Sequence, residues 1–456
     1  MLRIRNFLTM FSPKQNNKRI LFLIFCVITA LLVDTSFVKI SDLINEDLIS
    51  NWLIPLFVII SITYMIGQYL ILGFVKQITK RTSPLGTLRL GTIHNWVRTI
   101  QFVLVIVNVL VISQIILLSS YSTILLTLAT SISSILAISL MVLLARRFFS
   151  WFRSNRNLVV LLYGLSTGML AINAAFSLIF VDDLLADKPV VIQSHREFSF
   201  MVNPNTIMGS LNSTYIISSI VSFMMIWGAT AILLQHYSKR FGKVKYWIIL
   251  SIPLTYFLSQ FVILFLRPLD FLFRTDPVSF SIFLTLAFTL TKPIGGILFG
   301  IGLWTVTKNI NPSNVVRNYM IISAYGFVIL FTSIQSIVIS SAFYPPFGLA
   351  SVSFMGLASY LVVVGIYYSA ISFAHDVTLR QSIRESAIKE SKLLDSIGTA
   401  HMEQEIQERV ISFTKRNQER IAEESGIQSS LTEEDMRQYL RQVIEEVKKG
   451  KIDSSG

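Results

Sequence analysis

The chain has 456 residues, of which 53% are hydrophobic and only 14% are charged, and its formal net charge is +13 at pH 7. This composition lies far outside the usual range of soluble globular domains, so it excludes that class and indicates an integral membrane protein. A single cysteine, Cys26, also excludes a disulfide framework and a thiolate metal cluster.

Apolar runs long enough to cross a bilayer recur from the first residues to about Phe373. A hydrocarbon core of about 30 Å takes roughly 20 helical residues, and each run is apolar on every side, which indicates helices rather than alternating barrel strands. The sequence therefore predicts an all-α integral membrane protein with about ten transmembrane helices and a tight turn near Ser119. The ten runs are centred on Ile20–Ile40, Trp52–Val75, Thr99–Leu118, Tyr121–Ala145, Asn157–Val181, Ser213–Gln235, Tyr246–Leu266, Val278–Thr307, Asn318–Tyr344 and Leu349–Phe373.

Lys and Arg residues divide unevenly between the two sides of this membrane domain. With the N-terminus inside, the inner segments before the tail hold 20 of them and the outer segments hold five. Positively charged segments stay in the cytoplasm, so both termini are predicted to be cytoplasmic and the protein is expected in the cell membrane. The net positive charge then faces anionic lipid headgroups, and no nucleic acid partner is expected.

Three parts follow from this topology: a basic cytoplasmic N-terminus at 1–19, a transmembrane domain at 20–375, and a helical cytoplasmic tail at 376–456. Two longer connections are predicted within the membrane domain. An inner loop runs over 76–98, and an outer loop runs over 182–212 and is long enough to contribute to a ligand site.

The sequence Gly164-Leu-Ser-Thr-Gly168 lies inside the fifth predicted span. It matches the G-x-S-x-G pattern of hydrolase nucleophile elbows, but that chemistry needs a strand–turn–helix corner and a base for Ser166. No histidine is predicted at membrane depth to act as that base. Glycines four residues apart let a second helix approach closely, so Gly164 and Gly168 are predicted to serve helix packing.

The eighth span contains Thr289-Leu-Thr-Lys-Pro-Ile-Gly-Gly296. A lysine near the bilayer centre costs about 2.5 kcal/mol or more, so Lys292 is a functional candidate if it faces the protein interior. Pro293 removes a helical hydrogen bond, and adjacent glycines make unwinding easy, which predicts a kinked or broken helix with free carbonyl groups around the cation. The candidates for a ligand site or ion pathway are Lys292, Pro293, Gly295 and Gly296, with Asp34 of the first span as the candidate partner.

Two structural interpretations of this segment stay open. Lys292 extends its aliphatic stem toward the headgroups from a kink that has no other role. Alternatively, the segment forms a turn between two re-entrant half-helices, which would place the tail outside and opposes the distribution of basic residues.

The tail carries apolar residues at helical spacing in two places. The first set, named the tail stripe here, precedes a turn; the second follows Thr432-Glu-Glu-Asp, which has the form of a capping box. Such helices predict self-association or a protein partner, or they fold back on each other and on the basic inner loops. The tail stripe is Met402, Ile406, Val410 and Phe413, and the second set is Met436, Leu440, Val443 and Val447.

The five histidines show no metal-ligand spacing, and no phosphate-binding loop or zinc motif is present, so no cofactor is expected. The sequence Thr399-Ala-His-Met-Glu-Gln-Glu-Ile around His401 resembles the phosphoacceptor helix of sensor histidine kinases. It departs from that family because no proline follows in the motif and the remaining chain is too short for an ATP-binding domain.

Three classes of function are compatible with these features. A receptor-like, regulatory or accessory protein would act through the helical tail, whereas a secondary transporter or channel would use the broken eighth helix. Inverted-repeat transporters carry matching breaks in both halves, yet the third span has neither glycine nor proline. No acid–base or nucleophile constellation converges at one depth, which disfavours an enzyme. The sequence thus favours the first class and retains the transporter as the alternative.

Overall fold

The computed structural model of the protein describes residues 17–40, 52–82, 87–186, 207–235, 237–266, 283, 287–308, 310, 314–335, 344–385 and 392–425, with 434, 436, 439, 442 and 443 in the tail. Every regular element in these ranges is a helix, which confirms the all-α prediction. The helices are α1 (Asn17–Ile40), α2 (Ile54–Thr82), α3 (Thr87–Leu118), α4 (Thr123–Ser154), α5 (Leu158–Ala186), α6 (Ile207–Leu234), α7 (Tyr237–Phe241), α8 (Lys243–Leu266), α9 (Thr291–Val306), α10 (Val315–Gln335), α11 (Leu349–His375), α12 (Val377–Glu385) and α13 (Lys392–Ser425).

Eight of the described helices are long and apolar enough to cross a bilayer, namely α2 to α6 and α9 to α11. The first helix, α1, contains a shorter apolar stretch at Ile24–Phe37. Each of the ten predicted runs contains one helix, because α1 and α8 occupy the first and seventh runs. The structure therefore supports a membrane protein with several transmembrane helices.

Helices extend into both of the predicted loops. In the inner loop at 76–98, α2 continues to Thr82 and α3 begins at Thr87. In the outer loop at 182–212, α5 ends at Ala186 and α6 begins at Ile207. Charged residues marked these segments as loops, but a helix can carry charges once it has left the hydrocarbon. The turn near Ser119 is confirmed, with α3 ending at Leu118 and Ser119 at φ 49°.

The last membrane helix, α11, forms the centre of the fold. Nearly all of its residues are buried, and it contacts α1, α2, α3, α4 and α10 around it. A Cβ added at Gly365 would lie 2.6 Å from the backbone nitrogen of Ser323 and 2.6 Å from the Tyr319 carbonyl oxygen on α10. Only glycine permits this approach, which is the usual way in which membrane helices pack closely without a hydrophobic driving force between them.

Helices α5, α6, α8 and α9 form a second group beside this centre. It joins the centre through contacts of α5 with α4 and of α9 with α10. Stacked and edge-on rings fill the space between α6, α8, α9 and α10. The ring centroids of Phe223 and Phe257 lie 4.1 Å apart, and Phe299 lies 5.2 Å from Phe223 and 5.0 Å from Phe331.

The tail helix α13 packs directly onto the membrane domain. Leu394, Ile397 and Ala400 are buried in the same continuous apolar core as α11. A Cβ at Gly398 would lie 2.1 Å from the ring of Phe373, so α13 and the end of α11 are in close contact. We call this end of the molecule the tail side, and the end at Gly348 the opposite side.

Candidate functional site

Lys292 lies in the first turn of α9 and is 8% exposed. Its Nζ donates a hydrogen bond of 3.1 Å to the Tyr215 hydroxyl on α6 and lies 5.4 Å from the centroid of the Tyr215 ring. Within the described residues, no carboxylate oxygen lies within 4 Å of this ammonium group. The cation is therefore held by a neutral hydroxyl and the face of a ring.

The break in the eighth span occurs just before Lys292. Leu290 forms a turn between a short helical segment at 287–289 and α9. The sequence predicted free carbonyl oxygens here, but two of them accept hydrogen bonds. The Ala287 carbonyl accepts a hydrogen bond from the Tyr256 hydroxyl, and the Phe288 carbonyl accepts from Gln335 Nε2 at 3.1 Å and from Thr291 Oγ1 at 2.8 Å. Neighbouring side chains thus supply hydrogen-bond donors to these two carbonyl oxygens.

Pro293, Gly295 and Gly296 do not produce the unwinding that their residue types suggest. Pro293 occupies the first turn of α9, where its missing N–H has no helical acceptor to bond. A Cβ at Gly295 would lie 2.3 Å from the Phe223 ring, and one at Gly296 would lie 2.8 Å from Phe331 Cβ. Both glycines therefore serve close packing of α9 against α6 and α10.

Asp34 lies on α1 and is fully buried. Its Oδ1 accepts a 2.8 Å hydrogen bond from the Gly348 N–H, and its Oδ2 accepts bonds from the Ser351 N–H at 2.9 Å and from the Ser351 hydroxyl at 2.8 Å. The carboxylate thus caps the N-terminus of α11, where free N–H groups and the helix dipole favour a negative charge. Asp34 and Lys292 bond to different helices and do not form the pair that the sequence suggested.

Gly348 explains why α11 needs a cap from another helix. It is the N-cap residue, has φ 91°, and makes no side-chain capping bond. Glycine adopts this left-handed conformation more easily than other residues, and it has no side-chain oxygen that could cap the helix. Asp34 supplies that oxygen from α1, so the two ends of the membrane sequence are bonded together.

Further polar bonds surround the N-terminal half of α11. Asn108 Nδ2 donates to Ser353 Oγ at 3.3 Å, and Gln101 Nε2 donates to the Ser353 carbonyl at 3.4 Å. The Ser133 hydroxyl donates to the Val352 carbonyl at 2.6 Å. These side chains are buried, and so are the others that join them. The set, named the polar belt here, is Asp34, Thr35, Tyr64, Gln101, Asn108, Ser133, Ser351 and Ser353.

Several oxygen atoms at or near the polar belt have no hydrogen-bond partner within the described residues. They are Asn108 Oδ1, Gln68 Oε1 and Ser61 Oγ. Unpaired acceptors are costly in an apolar interior, so each is a place where a water molecule or a ligand group would be stabilised. The belt thus holds α11 firmly and still offers acceptors on its α2 and α3 side.

The contact between α13 and the membrane domain contains an unusual histidine. The His401 ring packs edge-on against Trp151 and Tyr367, with centroids 6.5 Å and 5.7 Å away. Burial lowers the pKa of His401 to about 4, while Glu405 acts to raise it and Arg147 and His375 act to lower it. His401 is therefore neutral and enclosed at pH 7, unlike the exposed phosphoacceptor that the resemblance to sensor kinases implies.

The tail stripe is not the face that docks. Ile406, Val410 and Phe413 are 49%, 38% and 67% exposed, and Met402 is only partly buried. In the second set, Met436 is buried and Val443 is exposed, whereas Leu440 and Val447 lie outside the described residues. The docked face is carried by Leu394, Ile397 and Ala400, which the sequence analysis did not select.

Gly164 and Gly168 lie where α5 faces α4. A Cβ at Gly164 would lie 3.1 Å from Phe148 Cβ, and one at Gly168 would lie 3.9 Å from Ala145 Cβ. Between these glycines, the Ser166 hydroxyl donates to the Tyr163 carbonyl of its own helix. No histidine is among its described partners, so the geometry offers nothing that would activate this serine.

The polar belt was missed because single polar residues in apolar spans look unremarkable one at a time. A signal was nevertheless present in their spacing. Ser61, Tyr64 and Gln68 recur at three and four residues on α2, and Gln101 and Asn108 are seven residues apart on α3. Such spacing places each group on one helix face, which two adjacent helices can turn toward each other.

Comparison with known proteins gives no relative from which a function could be transferred. No protein-family model, curated protein or solved structure matches the chain. The functional conclusion therefore depends on the geometry of the chain itself.

Proposed function

We propose that the chain crosses the cell membrane ten times with both termini in the cytoplasm. The apolar helices α1 and α8 supply the two crossings beyond the eight that length and composition identify. The excess of Lys and Arg in the segments assigned to the inside supports this orientation.

Within this topology, the protein is a receptor-like or regulatory membrane protein in which α11 couples the membrane domain to the tail. The observation that carries this proposal is that α13 belongs to the same buried core as α11. Polar bonds from α1, α3 and α4 hold one end of α11, and α13 packs on the other end about 40 Å away. A displacement of α11 would therefore reach α13 directly.

The exposed tail stripe gives this arrangement an output surface. Ile406, Val410 and Phe413 project from α13 without cover from the described residues. A contiguous apolar face of this kind on a polar helix is typical of an interaction site. It would contact a protein partner or a second copy of the chain, and movement of α13 would change its presentation.

Hydrogen exchange of α13 tests the coupling. Asp34→Asn removes an acceptor at the far end of α11, and we expect amide exchange in Lys392–Ser425 to accelerate at least about tenfold, which corresponds to a coupling of about 1.4 kcal/mol. Ser351→Ala removes one bond of the same cap and should act in the same direction with a smaller effect.

Trp227→Phe is the matched control, because it removes a partly buried hydrogen bond of 2.8 Å from Trp227 Nε1 on α6 to the Leu250 carbonyl on α8, away from α11. It should leave exchange in α13 unchanged. Unchanged exchange in Asp34→Asn and Ser351→Ala, with both variants folded, would contradict the proposal.

A transporter is the second candidate, and the buried ammonium of Lys292 is the observation that favours it. Its described partners are neutral, so the charge is available to an anion. Flux of a panel of small anions into vesicles tests this idea. Altered flux in Lys292→Met with unchanged exchange in α13 would favour transport, whereas unchanged flux in that variant would favour the regulatory protein.

A further inference from the structure

A large cleft lies between α2 and α3, and Gln101 of the polar belt is among the residues that line it. Its volume is about 1030 Å³, and its walls are mostly apolar. This volume is at the upper end of the range for small-molecule sites, which are usually apolar with a few placed polar groups. The apolar wall residues include Met65, Ile66, Tyr69, Phe102 and Val105.

Two cations from different helices line the same cleft. Lys76 comes from α2 and Arg98 from α3, and the positive charges of both act on the imidazole of His94, which also lines the cleft. No aspartate or glutamate is among the lining residues in the part of the chain that the structure describes. One part of the cleft therefore carries positive charge that no lining carboxylate neutralises.

The depth of these cations matches a headgroup rather than an acyl chain. About 30 Å of helix separates Arg98 from Leu118, the end of α3 on the opposite side. This length equals the thickness of the hydrocarbon core. In the sequence, Lys76 and Arg98 directly flank the inner ends of the predicted spans Trp52–Val75 and Thr99–Leu118, and the apolar walls of the cleft belong to those two spans.

An unpaired acceptor lies in the same cleft. Gln68 is 4% exposed and lines the cleft, and its Oε1 has no hydrogen-bond partner within the described residues. A glycerol or headgroup hydroxyl would satisfy this oxygen. The cleft therefore combines an apolar chamber, two cations and a buried acceptor.

We propose that this cleft binds one anionic phospholipid of the leaflet on the tail side. The phosphate contacts Lys76 and Arg98, a hydroxyl of the headgroup or glycerol reaches Gln68, and acyl chains lie along the apolar walls. Basic pockets between transmembrane helices recognise anionic headgroups through this combination of charge and depth.

The site does not depend on the proposed regulatory role, but it adjoins the helix on which that role depends. His94 Nδ1 lies 2.8 Å from the Tyr360 hydroxyl on α11. A lipid phosphate beside His94 would therefore lie next to a residue that is itself hydrogen-bonded to α11.

Removal of the two charges tests the headgroup contact. The variant Lys76→Ala/Arg98→Ala is expected to retain phosphatidylglycerol about 30-fold more weakly than the wild-type protein, as measured by native mass spectrometry after lipid titration, because each cation near an anionic headgroup contributes about a factor of five to six. Retention of phosphatidylcholine should not change. Lys243→Ala/Lys245→Ala is the matched control, because it removes two exposed charges outside the cleft.

Filling the cleft tests the acyl-chain contact without altering any charge. Gly73 lines the cleft, and a Cβ added there meets no atom within 4 Å, so Gly73→Phe starts from an open position and places a ring in or beside the cleft. We expect it to weaken phosphatidylglycerol retention at least tenfold. Gly91→Phe is the control, because Gly91 is equally open but is outside the lining.

A competition experiment distinguishes a bound lipid from a bound soluble phosphate compound. Glycerol 3-phosphate at millimolar concentration should not displace phosphatidylglycerol, because it lacks the acyl chains that fill the cleft. Displacement would overturn the lipid assignment in favour of a soluble phosphate ester. Equal retention of phosphatidylglycerol by the wild-type protein and both cleft variants would overturn the site itself, provided that circular dichroism shows the variants to be folded.

Discussion

Asp34 and Lys292 are both buried ionisable residues of the membrane domain, yet their surroundings differ. Asp34 accepts three hydrogen bonds shorter than 3.0 Å at a helix N-terminus, so its charge is compensated by fixed groups of the protein. Lys292 has one hydrogen bond of 3.1 Å and the face of a ring. A charged residue in an apolar span can therefore have quite different surroundings. Asp34 is bonded to the N-terminus of α11, whereas the described partners of Lys292 are one neutral hydroxyl and the face of a ring.

The largest expected effect comes from Asp34→Ala. The substitution leaves the Gly348 N–H and the Ser351 N–H without their acceptor in an apolar interior, at about 1–3 kcal/mol for each group. We expect the free energy of unfolding to fall by about 3 kcal/mol or more, measured by denaturant titration in detergent. Asp34→Asn keeps one acceptor, so its free energy of unfolding should fall by a smaller amount. Equal stability of Asp34→Ala and the wild-type protein would remove the distinction between the two sites.

His401 is a third ionisable group, and it is partly buried in its neutral form. Its pKa falls from 6.5 to about 4 on docking, so docking is fully stabilised above pH 6.5 and weakens as the pH falls from 6.5 to 4. The docking free energy falls by about 3 kcal/mol over this range, at about 1.4 kcal/mol for each pKa unit. Limited proteolysis of α13 between pH 4 and pH 7.5 measures this change.

A matched variant isolates the contribution of His401. His401→Phe retains an aromatic ring against Trp151 and Tyr367 and should abolish most of the acid sensitivity. The nearby His375 Nε2 and Glu405 Oε2 lie 3.6 Å apart and are unchanged in this variant. Proteolysis that does not vary with pH in the wild-type protein would contradict the buried neutral state.

Glycine substitutions near Lys292 test whether packing holds this region together. Gly295→Ala places a Cβ 2.3 Å from the Phe223 ring, and overpacking of this kind costs about 1–3 kcal/mol. Gly168→Ala is the matched control, because its Cβ would meet Ala145 at an ordinary 3.9 Å. In detergent, the thermal unfolding temperature should fall clearly for Gly295→Ala and change little for Gly168→Ala.

Lys292→Met should have the smallest effect on stability. It replaces a buried cation by an apolar side chain of similar size, and removal of a poorly compensated buried charge is often neutral or stabilising. We expect the free energy of unfolding to change by less than about 1 kcal/mol. A large loss would show that Lys292 is a structural residue like Asp34.

The sequence predicts the helices well because hydrophobic length in a membrane is a local property. Every predicted run contains a helix, and the turn near Ser119 lies in its predicted place. Ends of helices were predicted poorly, since residues such as Arg89 and Asp182 continue a helix beyond the hydrocarbon without changing its backbone bonds.

The candidate site was predicted less well because its properties arise from contacts between distant residues. Whether Pro293 breaks a helix depends on where that helix begins, and α9 begins only two residues earlier. The bond between Asp34 and the start of α11 joins residues more than 300 positions apart, and no spacing within either span encodes it. Residue types thus indicated which groups were unusual but not what each one bonds to.

The cap on α11 also has a consequence for biosynthesis. The ribosome completes α1 before α11, and at about 5–20 residues per second the interval is roughly 15 to 60 s. During that interval Asp34, Gln101 and Asn108 lack their partners on α11 and remain polar groups in or near lipid. The early helices therefore carry these groups without their final hydrogen bonds until α11 is inserted. A chain truncated before α11 would keep all three groups without these partners.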